Sequence, residues 1–407
     1  MSSNLQTSTE AKTYFTANMR PAPIVFERGQ GCHLWDIEGH EYLDMCGGIA
    51  VLSVGHSHPT LVSAIQDQVA SLMHVSNLFF NDKVIALAKA ITSRTVFDRV
   101  YFVNSGAEAN ETLLKLARRY HYEQGDKERV QIIAMEGSFH GRTYGALSMT
   151  GQPKYKIGMA PMVGGIEHVP FMNIEAVKKI IGKQTAAVMV EPLQAEGGIH
   201  VGSKRYLQQL RELCDENGAL LFYDEVQTGY GRTGEFLAME HSGVEPDGCS
   251  LAKGIAGGFP LGAIAVKEKL TEGLPPGSHA TTYGGNALGC AAGLAVLRVF
   301  DEENILDNVK KQSSYLLAGL NQLREKLGTD IAVDVRGQGL LLGLELADSI
   351  DPLALLGKLR EQNLLLSLAG GKVLRFSPPL VIEQDLIEQG LSIVEQVLSD
   401  PPKKESK

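Results

Sequence analysis

The chain has 407 residues, 44% of them hydrophobic and 21% charged, with a formal net charge of −9. That length suits two domains, or one large domain with an appendage, around a substantial core. The acidic balance excludes a broad basic surface for nucleic acid, and the longest apolar stretch, 287–297, falls short of the ~20 residues a membrane helix needs.

The opening, MSSNLQTSTE, has no basic region followed by an apolar one, so it does not read as a signal peptide. Residues 1–12 are polar and read as a mobile arm. The stretch LWDIEGHEYLDM at 34–45 is expected to pack with the C-terminal part of the chain, within an N-terminal segment 1–55. Apolar, β-rich runs then recur at 100–103, 131–134, 186–190, 219–223, 249–252 and 262–266. Helical patterns at 107–119 and 203–217 lie between them. Strands separated by helices imply βαβ units and a mostly parallel sheet, here a large domain over 56–298. A helical pattern at 302–327, short strands at 331–335, 341–345 and 373–376, and a helix at 384–398 form a smaller α+β domain, 299–407. The tail from Ser399, SDPPKKESK, is expected to fray. The five cysteines, Cys32, Cys46, Cys214, Cys249 and Cys290, are odd in number and form no C-x-x-C pair. Free thiols in a reducing, cytoplasmic setting are the simplest reading.

Four stretches carry candidate chemistry. Asn104-Ser105-Gly106-Ala107 follows a strand and opens a helix, where free N–H groups and the helix dipole attract phosphate. By itself it is also an ordinary serine N-cap. Phe139 and Arg142, in the stretch 137–143, offer a ring to stack on a flat heterocycle and a fork for a carboxylate. Asp224 ends an apolar strand, where open α/β sheets bind ligands; alone it reads more simply as a turn cap. Lys253 ends another strand and meets a glycine-rich loop. Desolvation there lowers an amine's pKa, and a neutral amine is what Schiff-base chemistry requires. Alone, Lys253 reads as a solvent-facing lysine at a loop start. Together, a lysine for an aldehyde and an aspartate for a pyridinium nitrogen are what a pyridoxal-phosphate site needs.

Two look-alikes are set aside. Gly229-Tyr230-Gly231-Arg232-Thr233-Gly234 matches G-x-G-x-x-G, but no amphipathic helix opens after it and no ribose-reading acid follows at the right distance. His56-Ser57-His58 lacks further ligands at metal spacing, so no metal is expected.

The blocks NSGAEAN (104–110), SFHGRT (138–143), EPLQAEGG (191–198), YDEVQTGYGRTG (223–234), LAKGIAGGFPLGA (251–263), TTYGGNALGCAA (281–292) and RFSPPL (375–380) resemble the class III (ω-amino acid) aminotransferases. The likeness runs from about Pro21 to Leu398, and the acetylornithine-type members are the most similar. It implies the pyridoxal-phosphate fold type I, aspartate aminotransferase-like: a large domain with a mostly parallel sheet plus a smaller α+β domain. It implies that Lys253 bonds the cofactor and shuttles a proton. Asp224 would pair with the ring nitrogen, Phe139 and Val226 would cover its two faces, and Gln227 would reach its phenolic oxygen. Ser105, Gly106 and Ala107 would hold the phosphate, with Thr282 arriving from the other subunit of a homodimer. Arg142, Arg375 and Thr281 would meet substrate, and Glu196 would gate Arg375.

The implied reaction moves the δ-amino group of N2-acetyl-L-ornithine to 2-oxoglutarate. Succinylornithine, succinyl-diaminopimelate and GABA are alternative donors, and an aminomutase or a non-catalytic cofactor-binding homologue are alternative roles. Retention of the lysine, the aspartate and both arginines weighs against the last. Two departures are informative. Ala195 replaces a glycine usual beside the gate and is expected to trim the pocket slightly. Ile49 stands where ornithine δ-aminotransferases carry a tyrosine that reads a free α-amine, which disfavours free ornithine; GABA aminotransferases share the isoleucine.

Overall fold

The structure is a computed structural model, and it describes residues 3–404. Its centre is a seven-stranded sheet of β1 (Arg99–Val103), β2 (Gln131–Met135), β3 (Ile166–Val169), β4 (Thr185–Val190), β5 (Leu220–Asp224), β6 (Gly248–Leu251) and β7 (Gly262–Val266). The spatial order is β1-β7-β6-β5-β4-β2-β3. Strand β4, TAAVMV, is buried at every position, as expected of a continuous apolar run covered on both faces. β7 alone runs antiparallel to its neighbours β6 and β1. The physical reason is the link from Leu251 to Gly262, which is too short for the crossover that a parallel pair demands. One consequence organises the molecule: β1, β2, β4, β5 and β6 all end at the same edge, and their following loops converge there.

Six of the seven strands match the sequence reading within a few residues. The seventh, β3, is a short, partly exposed edge strand, too brief to show periodicity. The helix Gly106–Glu123 leads away from β1, and Lys204–Asn217 runs from its Ser203 cap to a left-handed Gly218 at φ 63°. The helices Pro59–Ser71 and Asp82–Thr92 were not foreseen. The helical pattern expected over 302–327 resolves into the end of Ala287–Glu302 and a separate helix, Ile305–Leu327, broken at Asn304, which has φ 52°.

The C-terminal part holds a four-stranded sheet ordered Ala332–Gln338, Leu341–Leu346, Val373–Phe376, Ser367–Ala369. Ile305–Leu327 and Gln384–Leu398 pack on each other. Near the chain's start, the antiparallel strands Phe26–Gln30, His33–Asp36 and Glu41–Asp44 are joined by Leu364–Leu365, parallel to the last of them.

Two expectations about the ends are corrected. Asn4–Ala11 is a helix capped by Ser3, not a loose arm. The Asn4 amide donates to Asp36 Oδ2 at 2.8 Å and to Glu38 Oε2 at 2.7 Å, and its oxygen accepts the Val25 N–H at 2.8 Å. At the other end Asp351 N–H donates to Pro402 O at 2.8 Å and Lys404 N–H to Ser349 O at 2.9 Å, so main-chain pairing secures the tail through residue 404. The rest of both expected segments, 1–2 and 405–407, lies outside the described residues. No described helix is long and apolar enough to cross a membrane.

Candidate active site

The converging loops enclose a cavity of about 370 Å³ at the carboxyl edge of the large sheet. After β1, the Ser105 hydroxyl caps its helix by accepting the Glu108 N–H at 3.2 Å, and the Glu108 carboxylate turns back to the Asn104 N–H at 2.7 Å. The Gly106 and Ala107 N–H groups belong to the first turn and have no intrahelical acceptor. Close approach of neighbouring loops depends on missing side chains here. A Cβ on Gly106 would stand 2.6 Å from Val226 Cγ1, and one on Gly141 2.6 Å from Ala107 Cβ.

Asp224, at the end of β5, is buried and saturated with donors. Its Oδ2 receives Asn110 Nδ2 and His140 Nδ1, both at 2.7 Å. Its Oδ1 receives the Val226 N–H at 3.0 Å and the Ser250 hydroxyl at 3.2 Å. Burial alone would push this carboxyl up. His140, with the Val226 N–H and Asn110, outweighs burial, and the net shift is downward, favouring the carboxylate.

Lys253 begins the short β6–β7 link with φ 49°. Burial, reinforced by Arg375 and opposed by Glu196, Asp224 and Glu191, lowers its amine to about 8. Glu191, at the end of β4, faces the same cavity and accepts the Phe139 N–H at 3.2 Å. Burial first, then the neighbouring Asp224, drives Glu191 well above the carboxylate range.

Beside the cavity, Arg375 forms an ion pair with Glu196. Arg375 Nη1 also donates to Gln227 Oε1 at 3.0 Å, and its Nε donates to Ser367 Oγ at 3.0 Å. Gln227 closes the triangle by donating to Glu196 Oε1 at 3.3 Å. Burial raises Glu196, but Arg375 and then Lys253 bring it below its ordinary value. At the mouth, the exposed Arg142 guanidinium lies 3.9 Å over the Tyr155 ring centroid and 5.5 Å from that of Phe139, at cation–π distance.

The cavity thus unites Ser105, Gly106, Ala107, Phe139, Arg142 and Asp224 with Val226, Gln227 and Lys253. Glu196 and Arg375 adjoin it through Gln227. Thr281 and Thr282 are not in its wall. The Thr281 hydroxyl accepts Asn104 Nδ2 at 2.9 Å and lines a separate recess with Phe79 and Phe80, and Thr282 is exposed. Ala195 does not trim the pocket: it is fully buried in a cluster with Leu341, Ala369 and Val373, facing the C-terminal sheet.

Asn110, Glu191 and His140 are among the cavity residues to which the sequence reading assigned no role. Asn110 stands four residues after Gly106 on one helix, hence on the same face, a signal that was available. Glu191 ends an apolar strand just as Asp224 does. Nothing in the sequence singled out His140.

The residues fit pyridoxal phosphate. There is a cradle at Gly106 that a Cβ would fill, an amine lowered by burial, an aspartate held ionised, and an aromatic ring in the same wall.

A sequence model of the family Aminotransferase class-III matches residues 14–398. Acetylornithine aminotransferase of Myxococcus xanthus is 44% identical over 373 residues, covering 92% of each chain. The ornithine aminotransferase structure from Toxoplasma gondii ME49 superposes with a TM-score of 0.94 at 31% identity, covering 98% of this chain and 96% of that one. The acetylornithine aminotransferase structure from Elizabethkingia anophelis gives a TM-score of 0.87 at 32% identity, covering 98% of this chain and 100% of that one.

Proposed function

This chain belongs to the class-III aminotransferases, and on that footing we propose that it moves the δ-amino group of N2-acetyl-L-ornithine to 2-oxoglutarate. The products are N-acetyl-L-glutamate 5-semialdehyde and L-glutamate. The observation that carries this reading is the Arg375–Glu196 ion pair standing beside Lys253, within a chain 44% identical to an acetylornithine aminotransferase.

Pyridoxal phosphate, the cofactor of this family, supplies when bound an aldehyde and an electron-withdrawing ring that takes up the electron pair of a deprotonated carbon. Lys253, with its amine lowered to about 8, is neutral often enough to bond the aldehyde. The same amine would also take and return the proton at the reacting carbon. Asp224, held ionised by His140 and Asn110, keeps a proton on the ring nitrogen. The first-turn N–H groups of Gly106 and Ala107 would hold the phosphate, and Phe139 and Val226 would cover the ring's two faces.

Substrate is positioned by cations. Arg375 takes the α-carboxylate of glutamate, and Arg142 the distal one. When the distal amine of acetylornithine reacts, no carboxylate lies at Arg375, and Glu196 neutralises the guanidinium in its place. A buried unpaired charge would otherwise be costly.

The chain acts as a homodimer in this reading. Leu78, Phe79, Phe80 and Tyr283 leave exposed apolar side chains near Thr282, a surface suited to a second copy of the chain, and the partner subunit's Thr282 would complete the phosphate pocket. Residues 56–298 are taken as the cofactor-holding unit and the chain from 299 as the smaller one.

The test is a donor panel with 2-oxoglutarate: acetylornithine, succinylornithine, succinyl-diaminopimelate, GABA and free ornithine, compared by kcat/KM. Acetylornithine is expected to lead. A clear lead for any other donor reassigns the substrate while leaving the reaction class intact.

A further inference from the structure

The motif Gly229–Gly234, which does not suit a nucleotide and is not used by the mechanism either, contains a deeply buried arginine. Arg232 is 2% exposed, and no carboxylate pairs with it among the described residues. Burial lowers its guanidinium to about 9. Its Nη1 instead donates to two main-chain carbonyls, Leu340 O at 2.9 Å and Pro378 O at 2.6 Å. The Leu340 N–H returns a bond to Arg232 O at 3.0 Å.

Those two carbonyls lie together at one end of the strand pair that carries Arg375. Leu340 precedes the strand Leu341–Leu346, and Pro378 follows the strand Val373–Phe376. The two strands pair with Gly343 opposite Arg375. The approach is tight: at Gly339, with φ 59°, a Cβ would stand 2.5 Å from Arg232 O and 2.3 Å from the Thr233 carbonyl carbon.

The other end of the same loop is fixed to the catalytic loops. Its base is closed by the buried Glu225, which accepts the N–H groups of Ala238 at 3.1 Å and Met239 at 2.8 Å. Tyr230 packs on Gly254, next to Lys253; a Cβ on Gly254 would lie 3.0 Å from Tyr230 Cβ. The loop is therefore a short strut with Asp224 and Lys253 at one end and the Arg375 strand pair at the other.

We propose that Arg232 is a positioning residue: it fixes Arg375 relative to Lys253 and thereby sets the site's affinity for a dicarboxylate substrate. This rests on the aminotransferase reading for its substrate names, and on the strut alone for its geometry. A neutral donor could satisfy carbonyls at lower cost. Both bonds leave the one Nη1 nitrogen, which an amide nitrogen matches in donor number but not in the reach of the longer arginine side chain.

The test uses cofactor-loaded protein. In Arg232→Gln the KM for 2-oxoglutarate should rise about tenfold or more, while the half-reaction with acetylornithine changes by less than about threefold. Calorimetric titration with glutarate, an unreactive five-carbon dicarboxylate, should show a matching loss of affinity. Gly339→Ala moves the turn off Arg232 without touching the guanidinium and should give the same signature, and it decides the matter if Arg232→Gln does not fold. Equal losses in both half-reactions, or unchanged glutarate affinity in a folded variant, overturn the proposal. Failure of the aminotransferase reading would look different: wild-type protein would transfer no amino group, while glutarate affinity would still report on the coupling of Arg232 to Arg375.

Discussion

His140 Nδ1 lies 2.7 Å from Asp224 Oδ2, inside a site where both side chains are buried. Asp224 is pushed up by burial and pulled further down by its donors, His140 foremost. The ionised form is therefore favoured in the fold, and what it supports is lost as pH falls through the lowered value. In His140→Ala the downward pull goes and the burial stays. Cofactor affinity, measured against pH by equilibrium titration, should fall away at a higher pH than in wild type. An unmoved profile would show that Asn110 and the Val226 N–H hold the carboxylate unaided.

Lys253 gives a prediction of opposite form. Its amine is lowered from 10.5 to about 8, mainly by burial. Between those values the unfolded chain keeps the proton that the folded chain has shed, so stability rises with pH across that window. Below about 8 both states are protonated, and the buried charge weakens the fold. Urea midpoints of cofactor-free protein at pH 8 and 10 should therefore differ more in wild type than in Lys253→Met. Turnover of Lys253→Ala in the loaded enzyme should fall by about 10³-fold or more, the scale of losing a positioned acid–base group. Turnover near wild type would remove Lys253 from its assigned role.

Gly106→Ala tests the cradle. The new Cβ meets Val226 Cγ1 at 2.6 Å, so one wall of the ring slot must shift. Overpacking of this kind costs about 1–3 kcal/mol, and here the loss should appear in cofactor affinity and in the loaded protein's melting temperature. Undiminished affinity would place the ring elsewhere.

Phe80 is 88% exposed beside Phe79 and Leu78. Phe80→Glu places a charge on the surface read as the subunit interface. Sedimentation should show a shift toward monomer, and specific activity should fall on dilution, since the phosphate pocket would lose its borrowed threonine. A fully active wild-type monomer would refute the shared site.

The catalytic edge of the sheet was legible in the sequence because β5 and β6 are buried along their whole length and each leads abruptly into chemistry: Asp224 after LLFY, Lys253 after GCSLA. What stayed hidden depends on contacts between distant segments. His140 gains its importance only when β2's loop meets β5's end, a pairing of residues 84 positions apart. Ala195 sits two residues after a cavity-lining leucine, yet it faces the C-terminal sheet because the hairpin Leu193–Gln194 with His200–Val201 turns it there. The capped helix at 4–11 was missed for a simpler reason. Its sequence is polar apart from Leu5, which is exposed, and Ala11, and the feature tying it down is one buried asparagine, which composition cannot distinguish from an exposed one.

The gate formed by Arg375, Glu196 and Gln227 yields the sharpest prediction. Glutamate and acetylornithine must present different amines to the same carbon, so only glutamate brings a carboxylate to Arg375. In the structure that guanidinium is held by Glu196, with Gln227 bonded to both partners. Glu196→Ala leaves Arg375 without its carboxylate when acetylornithine reacts but removes a competitor when glutamate binds. Its half-reaction with acetylornithine should therefore slow by about tenfold or more, with the glutamate half-reaction affected less. Arg375→Ala should do the reverse, costing glutamate and 2-oxoglutarate most. Arg142, at the mouth, meets a carboxylate of either substrate, so Arg142→Ala should weaken both. Each half-reaction is followed separately by the change in the cofactor's visible absorbance in a single turnover. If Glu196→Ala and Arg375→Ala lose both half-reactions equally, the ion pair is structural, and the discrimination between the two amines must reside elsewhere.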